Sequence, residues 1–324
     1  MISRITNRPW AKRFITILLC GCVWIPTQAV AREFVILLDW FVNPDHAAFI
    51  VAKQRGRFQE KGLKVELIEP GDPSMPPKLA AAKQADLAVS YQPSLMVDLN
   101  NDLPLVRVGS LVDAPLNSLV VLADGPIQSI PDLKGKTVGY SVGGFEDAIL
   151  GAMLEHHGLT LNDVSLVNVN FALSPSLYAG QVDAVIGAFR NFELNQMDLD
   201  QRPGRAFFPE RHGVPTYEEL VLVAHPDKAA TQDMQDVLDI LNTVTAEILE
   251  DPEAGWNDFI AYHPEDLDNP LNARAWRDTL PKLTRDVRAS SPTAWTEFAE
   301  FMQRRGLISN VPPVSTYLWQ HPDG

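Results

Sequence analysis

The chain has 324 residues, 27 of them basic and 41 acidic, with a formal charge of -14. An acidic balance of this size excludes gripping nucleic acid by its phosphates. Both cysteines, Cys20 and Cys22, lie near the start, so the remainder excludes disulfides, thiolate metal sites and a cysteine nucleophile.

Residues 1–13 carry Arg4, Arg8, Lys12 and Arg13 and no acid, and Phe14 to Ile25 are almost wholly apolar. Ala29 and Ala31 then precede Arg32. A basic start, a short apolar run and an A-x-A end predict a secretory signal peptide over residues 1–31. The apolar run is shorter than the roughly 20 residues a membrane span needs. Leu19-Cys20-Gly21-Cys22 leaves a second version open, in which Cys22 carries a lipid anchor. No further run is long and apolar enough to span a membrane, and about 290 residues remain, a comfortable length for two lobes.

From there strands and helices alternate. FVILL (34–38) is apolar throughout, as a strand buried on both faces is. A helix is expected over 47–58, a strand over 65–68, a helix over 78–85, and strands over 87–89 and 105–111. SLVVL (118–122) is apolar without a period. Strand 137–140, helix 148–157, and strands 166–169, 184–186 and 220–223 follow. The last part reads as helices over 231–249, 251–261, 272–284 and 292–305. Alternation of this kind predicts an α/β fold with parallel-rich sheets covered by helices. The apolar runs SLVVL and ELVLV bracket a self-sufficient β-α-β set. Lobe 1 is therefore expected over 32–119 plus 221–324 and lobe 2 over 120–220, hinge-linked around a central cleft.

Ligands of such sheets sit outside the carboxyl ends of the strands, so the residues after each strand are the candidates. They are Trp40, Asn43 and His46 after the first strand, Tyr91 and Pro93 after LAV, and Asn117 and Ser118 at the first crossing. Gly143, Gly144, Phe145 and Glu146 follow TVGY, and Arg190, Asn191 and Glu193 follow AVIGA. These tips are rich in aromatic and amide side chains and poor in lysine and arginine. That profile suits a flat, polar ring that is uncharged or weakly basic, stacked on aromatics and hydrogen-bonded at its edge. The Gly143-Gly144 turn opens a helix but lacks Gly-Lys-Ser/Thr, and Glu146 and Asp147 already complement the helix dipole. It is expected to let backbone approach a neutral ring. Arg190 stays open between a phosphate on the ligand and a pairing with Glu146. No catalytic residue, metal site or cofactor is indicated, and no His/Asp/Glu set has metal spacing.

LDWFVNPDH, DLAVSYQP, TVGYSVGGFED and IGAFRNFE together resemble the ThiY-like branch of periplasmic substrate-binding proteins, over nearly the whole chain after residue 31. That resemblance implies a two-lobed periplasmic binding protein of type II. It also implies a thiamine-pyrimidine precursor of the formylaminopyrimidine or hydroxymethylpyrimidine type as ligand. The partner would be the permease of an ABC transporter in the inner membrane, served by a monomer in the periplasm. It places Trp40 and Tyr91 on the ring faces and Glu193 on the ring nitrogen and exocyclic amine. The same superfamily includes receptors for nitrate, sulfonates and riboflavin, which stay open as ligands. It also includes the fungal thiamine-pyrimidine synthase, which uses pyridoxal phosphate and iron. Where that enzyme has its lysine and histidine this chain has Ser90 and Ser94, and the cysteine-rich segment corresponds to residues 216–220, which hold no cysteine.

Overall fold

The computed structural model describes Met1 and residues 31–319, so the expected signal peptide and Cys22 lie outside the described residues. Among the described residues ten strands form in chain order: β1 (Arg32–Leu37), β2 (Leu63–Ile68), β3 (Leu87–Ser90), β4 (Val106–Val112), β5 (Asn117–Leu122), β6 (Thr137–Tyr140), β7 (Ser165–Asn168), β8 (Ala184–Phe189), β9 (Gly204–Phe207) and β10 (Leu220–Ala224). They build two five-stranded sheets, ordered β2-β1-β3-β10-β4 and β7-β6-β8-β5-β9.

The two sheets share one plan. In each, three strands run parallel, joined by helical crossovers. A fourth, β10 or β5, is antiparallel to both of its neighbours. These two strands enter their sheets straight from the interlobe connections, residues 113–116 and 208–219, without a helical crossover to turn them parallel. The sheets are thus mixed and rich in parallel pairs. Val221, Leu222 and Val223 are fully buried, as a strand covered on both faces must be.

Several elements differ from expectation. The helix expected over 47–58 is broken at Gly56 (φ 70°) into Ala47–Gln54 and Arg57–Glu60. The helix expected over 78–85 spans Pro76–Ala81 and ends before Lys83, which adopts φ 60°. Helices Gln92–Asn100, Leu173–Tyr178 and Glu193–Leu199 and strand β9 carry no strong apolar period and were not anticipated. The C-terminal helices are capped as their sequences dictate: Thr231 Oγ1 accepts from Met234 N, Asn269 Oδ1 from Asn272 N and Ser291 Oγ from Ala294 N. Helix Gln232–Glu250 buries Met234, Val237, Leu238, Leu241, Val244 and Ile248, one face of a 3.6-residue period.

The connections between the sheets are tied to each other by buried charge. Leu116 N and Asn117 N donate to Glu219 Oε2 at 2.7 and 2.9 Å, so the second connection holds the backbone of the first. Nearby, Arg107 on β4 is 2% exposed. Its Nε donates to Glu218 Oε2 at 2.9 Å and its Nη2 to Ala289 O at 2.6 Å, while Trp295 Nε1 donates to Glu218 Oε1 at 2.7 Å. Removing one partner of a buried pair strands the other and costs about 3–5 kcal/mol. Arg107→Ala is therefore expected to lose stability on that scale in urea unfolding, while Lys64→Ala, at an exposed surface pair, changes it by less than about 1 kcal/mol. Equal midpoints for the two variants would show that this knot is not structural.

Candidate functional site

One cavity lies where the carboxyl ends of β1 and β3 face the segments after β6, β7 and β8. Asp39, Trp40, Asn43, Asp45, His46 and Tyr91 line it from one lobe, and Phe145, Glu146, Leu173, Gly187, Phe189, Phe192 and Glu193 from the other. The lobes touch around it. Asn191 Nδ2 donates to Asp45 Oδ1 and Thr279 Oγ1, both at 2.7 Å, Asn195 Nδ2 donates to Asp278 Oδ2 at 2.7 Å, and Arg305 pairs with Glu155.

The first wall is rigidly built. Asn43 caps the short turn after it by accepting from Asp45 N, and Asn43 N in turn donates to His46 Nδ1 at 3.3 Å. With Nδ1 accepting, the ring proton sits on Nε2, which donates to Asp39 Oδ1 at 2.9 Å. Asp39 Oδ2 accepts from the Tyr91 hydroxyl at 2.8 Å. Both oxygens of Asp39 are thus committed, and the Tyr91 ring is fixed by its tip. The ring lies near-parallel to Phe145 of the other lobe, centroids 5.2 Å apart, with Phe189 edge-on. Trp40 crosses to the second lobe, meeting Phe171 edge-on at 4.7 Å and packing against the cluster that contains Leu173 and Val185.

The second wall carries the acids. Glu146 and Glu193 are each the first residue of a helix. Glu146 Oε2 accepts from Ser141 N at 2.7 Å, and Glu193 Oε2 from Phe189 N at 2.6 Å. Neither has an ion-pair partner among the described residues. Burial pushes Glu146 up to about 8 and Glu193 up to about 7, the backbone bonds opposing it only in part. Asp45 opposite is raised to about 6, again by burial, and its Oδ2 has no hydrogen-bond partner. Gly187 makes room for Glu146: its φ is 101°, and a Cβ there would overlap the Glu146 carboxyl. Chemically this is an aromatic slot with acceptors on its rim, suited to a ring that donates hydrogen bonds. Among the described residues no three His, Cys, Asp or Glu side chains are grouped as a metal needs.

Of the residues singled out from the sequence, Trp40, Asn43, His46, Tyr91, Phe145, Glu146 and Glu193 meet at this cavity. Asn191 is one layer back, as a bridge to Asp45. Asn117 and Ser118 are fully buried beneath it, Asn117 Oδ1 accepting from Gly187 N. Pro93 is the second residue of helix Gln92–Asn100 and is buried. Gly143 and Gly144 line a neighbouring cavity, with Lys78, Ser90, Ser94 and Asp98. Arg190 does not pair with Glu146. Its guanidinium pairs with Glu210 at 2.6 Å, stacks over Phe208 and donates to Leu116 O and Asn117 O of the hinge backbone. Asp39, Asp45, Phe189 and Phe192 lie in the strand-end segments expected to line the cleft but were not singled out, and Phe171, Leu173 and Gly187 were missed. Phe189 and Phe192 flank Arg190-Asn191 and had a signal in that spacing; Phe171 and Leu173 follow a strand whose tip was not considered.

A cavity between two α/β lobes at the carboxyl ends of both sheets is the fold of periplasmic binding proteins. The alkanesulfonate-binding protein of Xanthomonas axonopodis pv. citri superposes with a TM-score of 0.72 at 18% identity, over 90% of this chain and 100% of that one. The chain belongs to the NMT1/THI5-like family, which matches residues 43–255. It is 54% identical to a Haemophilus influenzae protein provisionally named for thiamine biosynthesis, over 87% of this chain and 90% of that protein. It is 38% identical to the formylaminopyrimidine-binding protein of Halalkalibacterium halodurans, over 59% and 58% respectively. At 24% identity, over 85% and 83%, it also resembles a 4-amino-5-hydroxymethyl-2-methylpyrimidine phosphate synthase of Aspergillus parasiticus.

The raised acids give the ligand-free protein a pH dependence. A carboxyl raised on folding keeps its proton where the unfolded chain has lost it, so stability falls as pH rises. For Glu146 the window runs from about 4.5 to about 8. Urea unfolding is expected at a lower midpoint at pH 8 than at pH 5, with Glu146→Gln flattening that slope. A slope unchanged by the variant would mean Glu146 is not the group that titrates.

Proposed function

We propose that the protein captures a thiamine-pyrimidine precursor in this cavity and hands it to the permease of an ABC importer in the inner membrane. It acts as a monomeric receptor in the periplasm, without chemistry of its own. The observation that carries this reading is the pairing of aromatic walls with Glu146 and Glu193, buried carboxyl groups that lack a cation. An aminopyrimidine edge presents N–H donors and a protonatable ring nitrogen, and so supplies what those acids are missing. A charge-assisted hydrogen bond of this kind is worth about 1.5–3 kcal/mol. Contacts between the lobes around the cavity fit capture by hinge closure, the closed form being what a permease recognises. The formylaminopyrimidine-binding relative supports the ligand class. A sulfonate or nitrate is disfavoured, because an anion would face Glu146, Glu193 and Asp45 with no lysine or arginine on the cavity wall.

The synthase relative makes an enzyme the second reading. Ser90 and Ser94 stand where the resemblance places that enzyme's lysine and histidine, so the aldehyde of pyridoxal phosphate meets no amine there. Lys78 lines the cavity beside them but is exposed and on another helix.

Calorimetric titration with formylaminopyrimidine tests the binding reading. Glu193→Gln and Trp40→Ala are each expected to weaken binding by at least about tenfold, equivalent to about 1.4 kcal/mol. Unchanged affinity in both variants would move the ligand elsewhere. The protein mixed with pyridoxal phosphate is expected to form no stable absorbance band and to release its pyrimidine unaltered; turnover would establish the enzyme instead.

A further inference from the structure

Among the described residues, Trp40 is the one side chain of its lobe packed against a hydrophobic cluster whose other members all lie between residues 120 and 206. It also lines the cavity. From the facing lobe Phe171 meets it edge-on, ring centroids 4.7 Å apart, and lies against Phe41 at the same distance. Trp40 and Phe41 are themselves edge-on at 6.1 Å, so three rings close on one another across the lobes. Phe41 is 48% exposed, while Trp40 and Phe171 are half-buried. The three-ring cluster therefore reaches from the cavity wall to solvent.

The turn that presents Phe171 is held from several sides. Asn170 adopts φ 51°, in the left-handed region that asparagine tolerates better than most residues. Its N–H donates to Asn168 Oδ1 at 2.8 Å, Ala172 N donates to Val169 O at 2.9 Å, and the Ser141 hydroxyl donates to Asn170 O. Ser141 is buried, and its N–H donates to Glu146 Oε2 at 2.7 Å. One serine thus fixes both the turn under Phe171 and an acid of the cavity. A half-buried ring gains little for its own lobe from being fixed in this way. Its contacts with Trp40 and Phe41 cross between the lobes, and exist only while the lobes are together.

We infer that Phe171 is a positioning residue for ligand retention: wedged against Trp40 and Phe41 of the facing lobe, it keeps the cavity closed and sets how slowly a captured molecule leaves. The inference rests on the receptor reading proposed above and adds to it the residue that governs release. Phe171 is not on the cavity wall, and acts through the Trp40 ring that is. A ligand meets the open form, in which the three rings are parted, so association does not depend on Phe171. It leaves after the lobes separate, so dissociation does.

Two measurements test this. In the ligand-free protein the Trp40 signal is the fluorescence lost in the matching Trp40→Phe variant. Acrylamide is expected to quench that signal more steeply in Phe171→Ala than in the unaltered protein, and no more steeply in Phe171→Tyr, which keeps the ring. Equal quenching in Phe171→Ala and the unaltered protein would overturn the three-ring cluster without reference to any ligand. In stopped-flow with formylaminopyrimidine, Phe171→Ala and Phe41→Ala are each expected to raise the dissociation rate by about three- to tenfold, the scale of one aromatic pair, with the association rate unchanged. The double variant is expected to fall short of the product of the two, because both remove the same contact. A cooperative urea transition checks that each variant is folded. An unchanged dissociation rate, or a loss confined to association, would overturn retention by Phe171 and leave the receptor standing. Absence of pyrimidine binding by the unaltered protein would overturn the receptor reading and the retention role with it, while the quenching result still judges the ring cluster.

Discussion

Glu146, Glu193 and Asp45 are buried in one cavity without a lysine or arginine on its wall. Burying carboxyl groups in this way is unfavourable unless they are neutralised or hydrogen-bonded. The fold meets the need with backbone. Glu146 and Glu193 each stand at a helix start and turn back onto an N–H near the end of the preceding strand. What remains unmet faces the cavity, and a hydrogen-bond-donating ligand is the natural complement. On the proposed reading, these carboxyl groups set the specificity.

The architecture makes that arrangement possible. The parallel strands of both sheets point their carboxyl ends at the same space, so segments after five strands converge on it. The interlobe connections are cross-tied by Glu219 and Arg190, which hold the backbone N–H and C=O groups of residues 116 and 117. Asn117 then reaches Gly187, and Gly187 lies directly under the Glu146 carboxyl. Hinge and site are therefore linked by hydrogen bonds as far as Gly187 and by close packing from Gly187 to Glu146.

Much of the architecture was legible along the chain. Continuous apolar runs marked β1 and β10, and the helical pattern from residue 231 onward marked the last helices. Placement at strand ends brought Trp40, Tyr91 and Glu193 forward as neighbours although they are far apart in sequence. Short, weakly periodic helices after β3, β7 and β8 were not legible, because they are held by packing against the sheets and not by their own amphipathicity. Arg190 shows the limit most clearly. At a strand tip beside acids it reads as a ligand contact; only the path of the hinge backbone reveals carbonyls and Glu210 as its partners.

Local chemistry, then, was decided by the sequence: which segments are strands, where helices start, and which tips carry aromatics and acids. Those properties depend on neighbours a few residues away, so a string of residues contains them. The direction of β5 and β10, the engagement of Tyr91 by Asp39 and His46, and the division of the Gly143-Gly144 turn and Glu146 between two cavities were decided by tertiary structure alone. Each depends on groups separated by tens of residues, and on burial, which turns an ordinary carboxylate into one that needs a partner.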